Sequence, residues 1–76
     1  MEQYFKTIYL CSRYKNDMTF KCIEFPSFID ADHYDSKYRS ADRHSTMISI
    51  CKFMPMNMRD YILHKKLSNC FVHHKI

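Results

Sequence analysis

The sequence predicts a small α+β fold, with residues 1–76 forming a single domain in which an antiparallel sheet (a hairpin plus a third strand) is packed by one or two helices in the order ββαβα. Three observations predict this fold. The chain has only 76 residues, enough for one core. In three runs every second residue is apolar, and the residues between them are polar or form a second apolar face. Two further stretches space apolar residues as a helix does, and each begins near a capping residue.

The first two strands are predicted to form a hairpin. From Tyr4 to Cys11, aromatic and β-branched residues occupy both faces of the strand, which indicates that both faces are partly covered. The polar segment 12–17 follows, and a second alternating run extends from Met18 to Phe25. Two such runs around a short Asn-Asp loop are typical of a β-hairpin, and Pro26 is expected to end it.

A first helix is expected after Pro26. Ser27 supplies a hydroxyl acceptor for an N-cap, and Asp30 lies in the first turn, where a carboxylate complements the helix dipole. Asp35 and Arg39 have the spacing of an i,i+4 pair. The alternative is an irregular polar loop, because Asp, Ser and His are poor helix formers. One helical face would carry the residues Ala31, Tyr34, Tyr38 and Ala41.

The third strand and a second helix complete the predicted fold. Residues Thr46 to Met54 alternate again, and Pro55 is expected to stop the strand. Asn57 is the expected N-cap of the second helix, with Asp60 three residues later. The tail 71–73 either adds a short strand or docks on the domain. The apolar stripe of this helix comprises Ile62, Leu63, Leu67, Cys70 and Phe71.

The chain contains no glycine, and this excludes several functions. Phosphate-binding loops of the P-loop and Rossmann types and the clamp of KH domains all need glycine. Any backbone position with φ > 0 is expected at Asn16, Asp17 or Asn69. Residues with A/T-rich codons are abundant, as in many phage and viral genomes, which favours a small accessory or counter-defence protein.

Four cysteines, Cys11, Cys22, Cys51 and Cys70, are widely spaced and form no C-x-x-C motif. The sequence begins without the basic flank and apolar stretch of a signal peptide, so we expect reduced thiols that serve as small core residues. A disulfide framework and a zinc site are the alternatives. Cys70 and His73 have ligand-like spacing, but one pair is too few for a metal site, and no metal or cofactor is predicted.

The excess positive charge lies in the last third of the chain. In residues 1–51 the positive and negative side chains are equal in number, whereas residues 52–76 carry five cations against Asp60 alone. The whole net charge of +4 therefore lies in residues 52–76. Such a surface attracts nucleic acid or an acidic protein face. The alternative is an ordinary solvated helix face. The predicted basic surface comprises Lys52, Arg59, Lys65, Lys66 and Lys75.

No pattern in the sequence supports an enzyme. His44 and Thr46 have the His-x-Thr form of two-histidine phosphoesterases, but those enzymes need two copies and this chain has one. The carboxylates of Asp30, Asp32 and Asp35 match no calcium-loop spacing, and capping or solubility explains them better. We therefore expect a protein that is not an enzyme.

Tyrosine and phenylalanine make up 16% of the chain, more than so small a domain can bury, and many lie beside turns and charges. Tyrosine is enriched at binding hot spots. The sequence thus predicts a cytoplasmic interaction protein that inhibits or modulates a host protein or protein–nucleic-acid complex, with no membrane contact and with homodimerisation left open. A basic nucleic-acid-binding regulator is the alternative. The predicted partner-binding residues are Tyr14, Phe28, Tyr34, Tyr38 and Arg39.

Overall fold

The structure is a computed structural model that describes residues 5–73, with side chains described as far as Asn69. The predicted α+β fold and its element order ββαβα are confirmed. The elements are β1 (Lys6–Tyr14), β2 (Lys21–Phe25), α1 (Phe28–Lys37), β3 (Arg43–Cys51) and α2 (Met56–His73).

The sheet has the strand order β2-β1-β3 and is antiparallel throughout. All nine residues of β1 pair with β3, from Lys6 opposite Cys51 to Tyr14 opposite Arg43. The pairing with β2 is shorter and runs from Ile8 opposite Phe25 to Ser12 opposite Lys21. Within residues 5–73, β2 and β3 are therefore the two edge strands.

The sheet lies between the two helices. On one face, a buried cluster packs against α2, because alternate positions of β1 and β3 point the same way. The opposite face carries Leu10, which is 1% exposed, and is covered by α1, whose Ala31 is fully buried. The α2-side core comprises Tyr9, Cys11, Ile48 and Ile50, with Phe20, Met54, Ile62, Leu63 and Leu67 packed against it.

The start of α1 follows the prediction. Ser27 has extended backbone angles, and its Oγ accepts a hydrogen bond from the Asp30 backbone N–H at 3.2 Å. The same hydroxyl donates to Asp30 Oδ2 at 3.0 Å, so cap and first-turn acid support each other. The helix ends at Lys37, however, and Ala41 lies in the turn before β3 instead of on the predicted helical face.

Several predicted boundaries are wrong because pairing, not local pattern, decides where a strand ends. β1 continues to Tyr14, since β3 pairs with it over its whole length. β2 begins only at Lys21, and β3 is shifted back to Arg43–Cys51. Pro55, not Asn57, precedes α2, because the Pro55 carbonyl accepts the first helical hydrogen bond from the Arg59 N–H at 3.0 Å. The tail 71–73 continues α2.

The hairpin loop needs no left-handed residue, which corrects the expectation for Asn16 and Asp17. The Asp17 N–H donates to the Tyr14 carbonyl at 2.8 Å, and Asp17 Oδ1 accepts from the Thr19 N–H at 2.9 Å. These bonds close an ordinary turn and an Asx-turn in succession. Within residues 5–73, no residue has a positive φ.

One guanidinium joins α2 to the rest of the fold. Arg59 Nη1 donates to the Tyr9 hydroxyl at 2.7 Å, and Nη2 donates to the carbonyls of Lys52 and Met54 at 3.0 and 3.3 Å. The Tyr9 hydroxyl in turn donates to Glu24 Oε1 at 2.9 Å. Burial raises the pKa of Tyr9, so the phenol stays protonated and can donate to the carboxylate.

We expect Arg59→Ala to lower the free energy of unfolding by about 2 kcal/mol, because it leaves the buried phenol and two carbonyls without their donor. Arg59→Lys is expected to recover less than half of the loss, since one ammonium cannot reach both the phenol and the carbonyls. Urea unfolding followed by circular dichroism measures both. Lys66→Ala, an exposed cation on the same helix, is the control and should change stability by less than about 0.5 kcal/mol. Full recovery by lysine would show that charge alone matters.

Candidate protein-binding surface

The C-terminal half of α1 carries a stacked row of aromatic rings. The Tyr34 ring lies 4.6 Å from the Tyr38 ring and 5.4 Å from the Phe25 ring, measured between centroids. Tyr34 is half-buried, whereas Tyr38 caps the helix and is 45% exposed. Lys37 Nζ lies 5.6 Å from the Tyr38 centroid, within the range of a cation–π contact. These contacts hold an exposed ring in a defined orientation.

Asp35 fixes this half of α1 to the sheet. Its Oδ1 accepts from Arg43 Nη1 at 2.6 Å and from Ser45 Oγ at 2.8 Å. Both side chains of the ion pair are largely withdrawn from solvent, with exposures of 5% for Arg43 and 14% for Asp35. Desolvation by itself raises the pKa of Asp35, but the Ser45 and Arg43 hydrogen bonds and the nearby positive charge outweigh it and hold the pKa below its usual value.

Tyr14 and Arg39 lie at the same end of the molecule as Tyr38. Tyr14 is directly opposite Arg43 in the sheet and shares its face, and Arg43 is the residue that bonds to α1. Tyr14 is 54% exposed. Arg39 is 72% exposed and approaches Asp35 only at 4.0 Å, so its charge remains available to solvent. We call Tyr14, Tyr34, Tyr38 and Arg39 the tyrosine surface.

Phe28, the fifth predicted partner-binding residue, lies apart from the tyrosine surface. It is the first residue of α1 and is 57% exposed. Ten helical residues separate it from Tyr38, a rise of about 15 Å. Sequence reasoning grouped it with the tyrosines because it also lies beside a turn.

An exposed aromatic pair that was not predicted from the sequence lies at the other end of the sheet. Phe5 and Phe53 are 58% and 74% exposed, and their ring centroids are 6.2 Å apart. The Lys52 N–H donates to the Phe5 carbonyl at 2.7 Å, which brings the two segments together. Phe53 was expected inside the third strand. No pattern in the sequence marks the earlier end, because the strand stops where its pairing with β1 stops, at Cys51 opposite Lys6.

The predicted basic surface is only partly present. Lys52, Lys65 and Lys66 are exposed, and Lys75 lies outside the described residues. Arg59 does not belong to this surface, because its side chain is 12% exposed and is engaged by Tyr9 and two carbonyls. The prediction for Arg59 is corrected by burial, which a charge count along the sequence does not reveal.

The acidic residues of α1 do not converge. Asp30 is occupied with the Ser27 cap and Asp35 with Arg43, so each carboxylate has its own protein partner. Among the side chains that the structure describes, no group of three or more His, Cys, Asp or Glu residues is placed to hold a metal ion. The side chains of Cys70 and His73 lie outside the described part.

Comparison of the chain with protein-family models, with curated proteins and with solved structures finds no match. In the described part of the chain, neither helix combines the length and the hydropathy that crossing a bilayer requires.

Asp35→Asn should reduce the acid sensitivity of the fold. A carboxyl whose pKa is lower in the folded than in the unfolded chain stabilises the fold above the unfolded value, near 3.8, and this contribution is lost as the pH falls through the folded pKa. We therefore expect the free energy of unfolding to decline less steeply below about pH 4 in the variant. Urea titrations at successive pH values test this, with Asp32→Asn as the exposed control on the same helix. Equal slopes for wild type and Asp35→Asn would contradict the assignment.

Proposed function

We propose that this chain is a small non-enzymatic interaction protein, of the kind that phages and viruses encode, which binds a host protein or protein–nucleic-acid complex and inhibits or modulates it by occlusion. In this proposal the chain acts in the cytoplasm of the host cell. The observation that carries it is the tyrosine surface, where the exposed ring of Tyr38 stacks on Tyr34 and the Asp35–Arg43 ion pair holds this end of α1 on the sheet.

Ordered tyrosines favour tight protein binding. An aromatic ring offers a large contact area with few rotatable bonds, so little entropy is lost when a partner covers it. Stacking against Tyr34 and anchoring through Asp35 reduce that loss further, because the helix end is already fixed before binding. Arg39 adds a mobile cation at the rim, where charge steers encounter with an acidic partner.

The charge of the chain narrows the mode of inhibition. A net charge of +4 is opposite to that of a protein that mimics DNA, which needs dense negative charge. A positively charged chain can still block a face of another protein, because this requires a complementary shape and a few anchoring side chains and not negative charge. Among residues 5–73, the outer edges of β2 and β3 pair with no other strand and offer a second means of contact, by strand addition from a partner or a second copy.

Tyr38→Ala should weaken partner binding at least about 10-fold, the effect of losing a hot-spot ring. The tagged chain is used to capture proteins from the lysate of a candidate host, and mass spectrometry and titration with the purified target then give the affinity. Tyr61→Ala is a closely matched control, because Tyr61 is 61% exposed, lies on α2 across the sheet and has Lys65 Nζ 5.5 Å from its ring. It should leave binding unchanged.

The nucleic-acid alternative predicts a different pattern in the same assay. Captured material would then be lost on nuclease treatment, binding would fall steeply between low and moderate salt, and Lys65→Ala with Lys66→Ala would abolish it while Tyr38→Ala would not. That result would overturn the proposal. The withdrawal of Arg59 from the surface favours the protein partner, since it leaves fewer cations to contact phosphates.

A further inference from the structure

Two cysteines face each other across the first hairpin. Cys11 in the central strand is directly opposite Cys22 in the edge strand β2, and their Sγ atoms are 2.6 Å apart. Cys11 is fully buried, whereas Cys22 is exposed. Side chains at opposed positions of an antiparallel pair have Cβ atoms about 4.5–5.5 Å apart, close to the separation that a disulfide requires.

The pair differs from the other described thiol in its surroundings. Cys51 is also exposed, but it is at the far end of β3 and stands opposite Lys6. Of the three cysteines whose side chains the structure describes, only Cys22 combines access to solvent with a second sulfur within contact distance. An exposed thiol beside a resolving thiol is the arrangement found in proteins that respond to oxidation.

We propose that Cys11 and Cys22 form a peroxide-responsive dithiol that closes to an intramolecular disulfide. The Cys22 thiolate attacks one oxygen of hydrogen peroxide, the O–O bond breaks, and protonation of the leaving hydroxide gives water and a Cys22 sulfenic acid. The Cys11 sulfur then attacks the Cys22 sulfur, and the hydroxyl leaves with the Cys11 proton as a second water. The two thiols together lose two electrons, and one peroxide is reduced to two waters.

The disulfide would fasten the edge strand to the centre of the sheet. β2 is only five residues long and its residues are exposed or half-buried, so it has little apolar burial to hold it. Closing the loop from residue 11 to residue 22 removes conformations from the unfolded chain and should raise Tm by roughly 10 °C. Oxidation would thus change the rigidity of a strand whose outer edge is free.

Tryptic mapping tests the pairing directly, because each cysteine lies in a different tryptic peptide. After treatment of the folded chain with hydrogen peroxide and alkylation of remaining thiols, we expect Cys11 and Cys22 to carry no alkyl group and their two peptides together to have lost two hydrogens. Digestion should then release peptide 7–13 joined to peptide 22–37, with peptides 44–52 and 67–75 alkylated. Reduction should separate the joined peptides and reverse the rise in Tm.

Three variants make the outcome decisive. Cys51→Ser should leave the cross-link and the Tm shift intact. Cys22→Ser, at an exposed position, should abolish both while its circular dichroism spectrum remains that of the wild type. Cys11→Ser should leave a Cys22 sulfenic acid that dimedone captures. Disulfides from Cys22 to Cys51, to Cys70 or to a second chain would overturn the proposal, as would a peroxide-treated chain that retains four alkylatable thiols.

Discussion

The fold depends on a single buried guanidinium. Arg59 of α2 donates hydrogen bonds to the Tyr9 phenol of β1 and to the backbone carbonyls that follow β3. The phenol in turn donates to Glu24 of β2. Strands β1 and β2 and the segment that follows β3 are thereby connected to the second helix through one side chain. In a chain with so few fully buried residues, apolar packing alone leaves the helix weakly placed, and the donors on the two terminal nitrogens of a rigid guanidinium supply the missing orientation.

A second arginine joins the other helix, α1, to the opposite face of the sheet. Arg43 binds Asp35, and the ion pair is sheltered enough that removing either partner would leave an uncompensated charge. Two of the cations counted in the net charge are therefore internal. The exposed lysines are spread over the whole fold, for example Lys21 on β2, Lys37 on α1 and Lys66 on α2, and Arg39 is exposed beside the tyrosines.

Local rules were sufficient wherever the interaction is local. The Ser27 cap, the strand end before Pro26 and the alternation of β1 all depend on residues within a few positions, and the structure reproduces them. The length of β3 and the role of Arg59 depend on groups up to fifty residues away. The spacing of apolar residues along the chain carries no information about such distant contacts. For the candidate site, exposure was foreseeable for Tyr14 and Tyr38, but their common placement required the register of β1 with β3.

The backbone of the described residues stays in right-handed and extended conformations at every turn. No loop position is reserved for one amino acid by its dihedral angles, so any residue except proline can occupy most of them without steric penalty. Backbone dihedral angles therefore place little constraint on the loop sequences of this domain. Where a deep mutational scan finds a loop residue that does not tolerate exchange, the cause will lie in the contacts of its side chain, as at Asp17, whose carboxylate accepts a hydrogen bond from the Thr19 N–H.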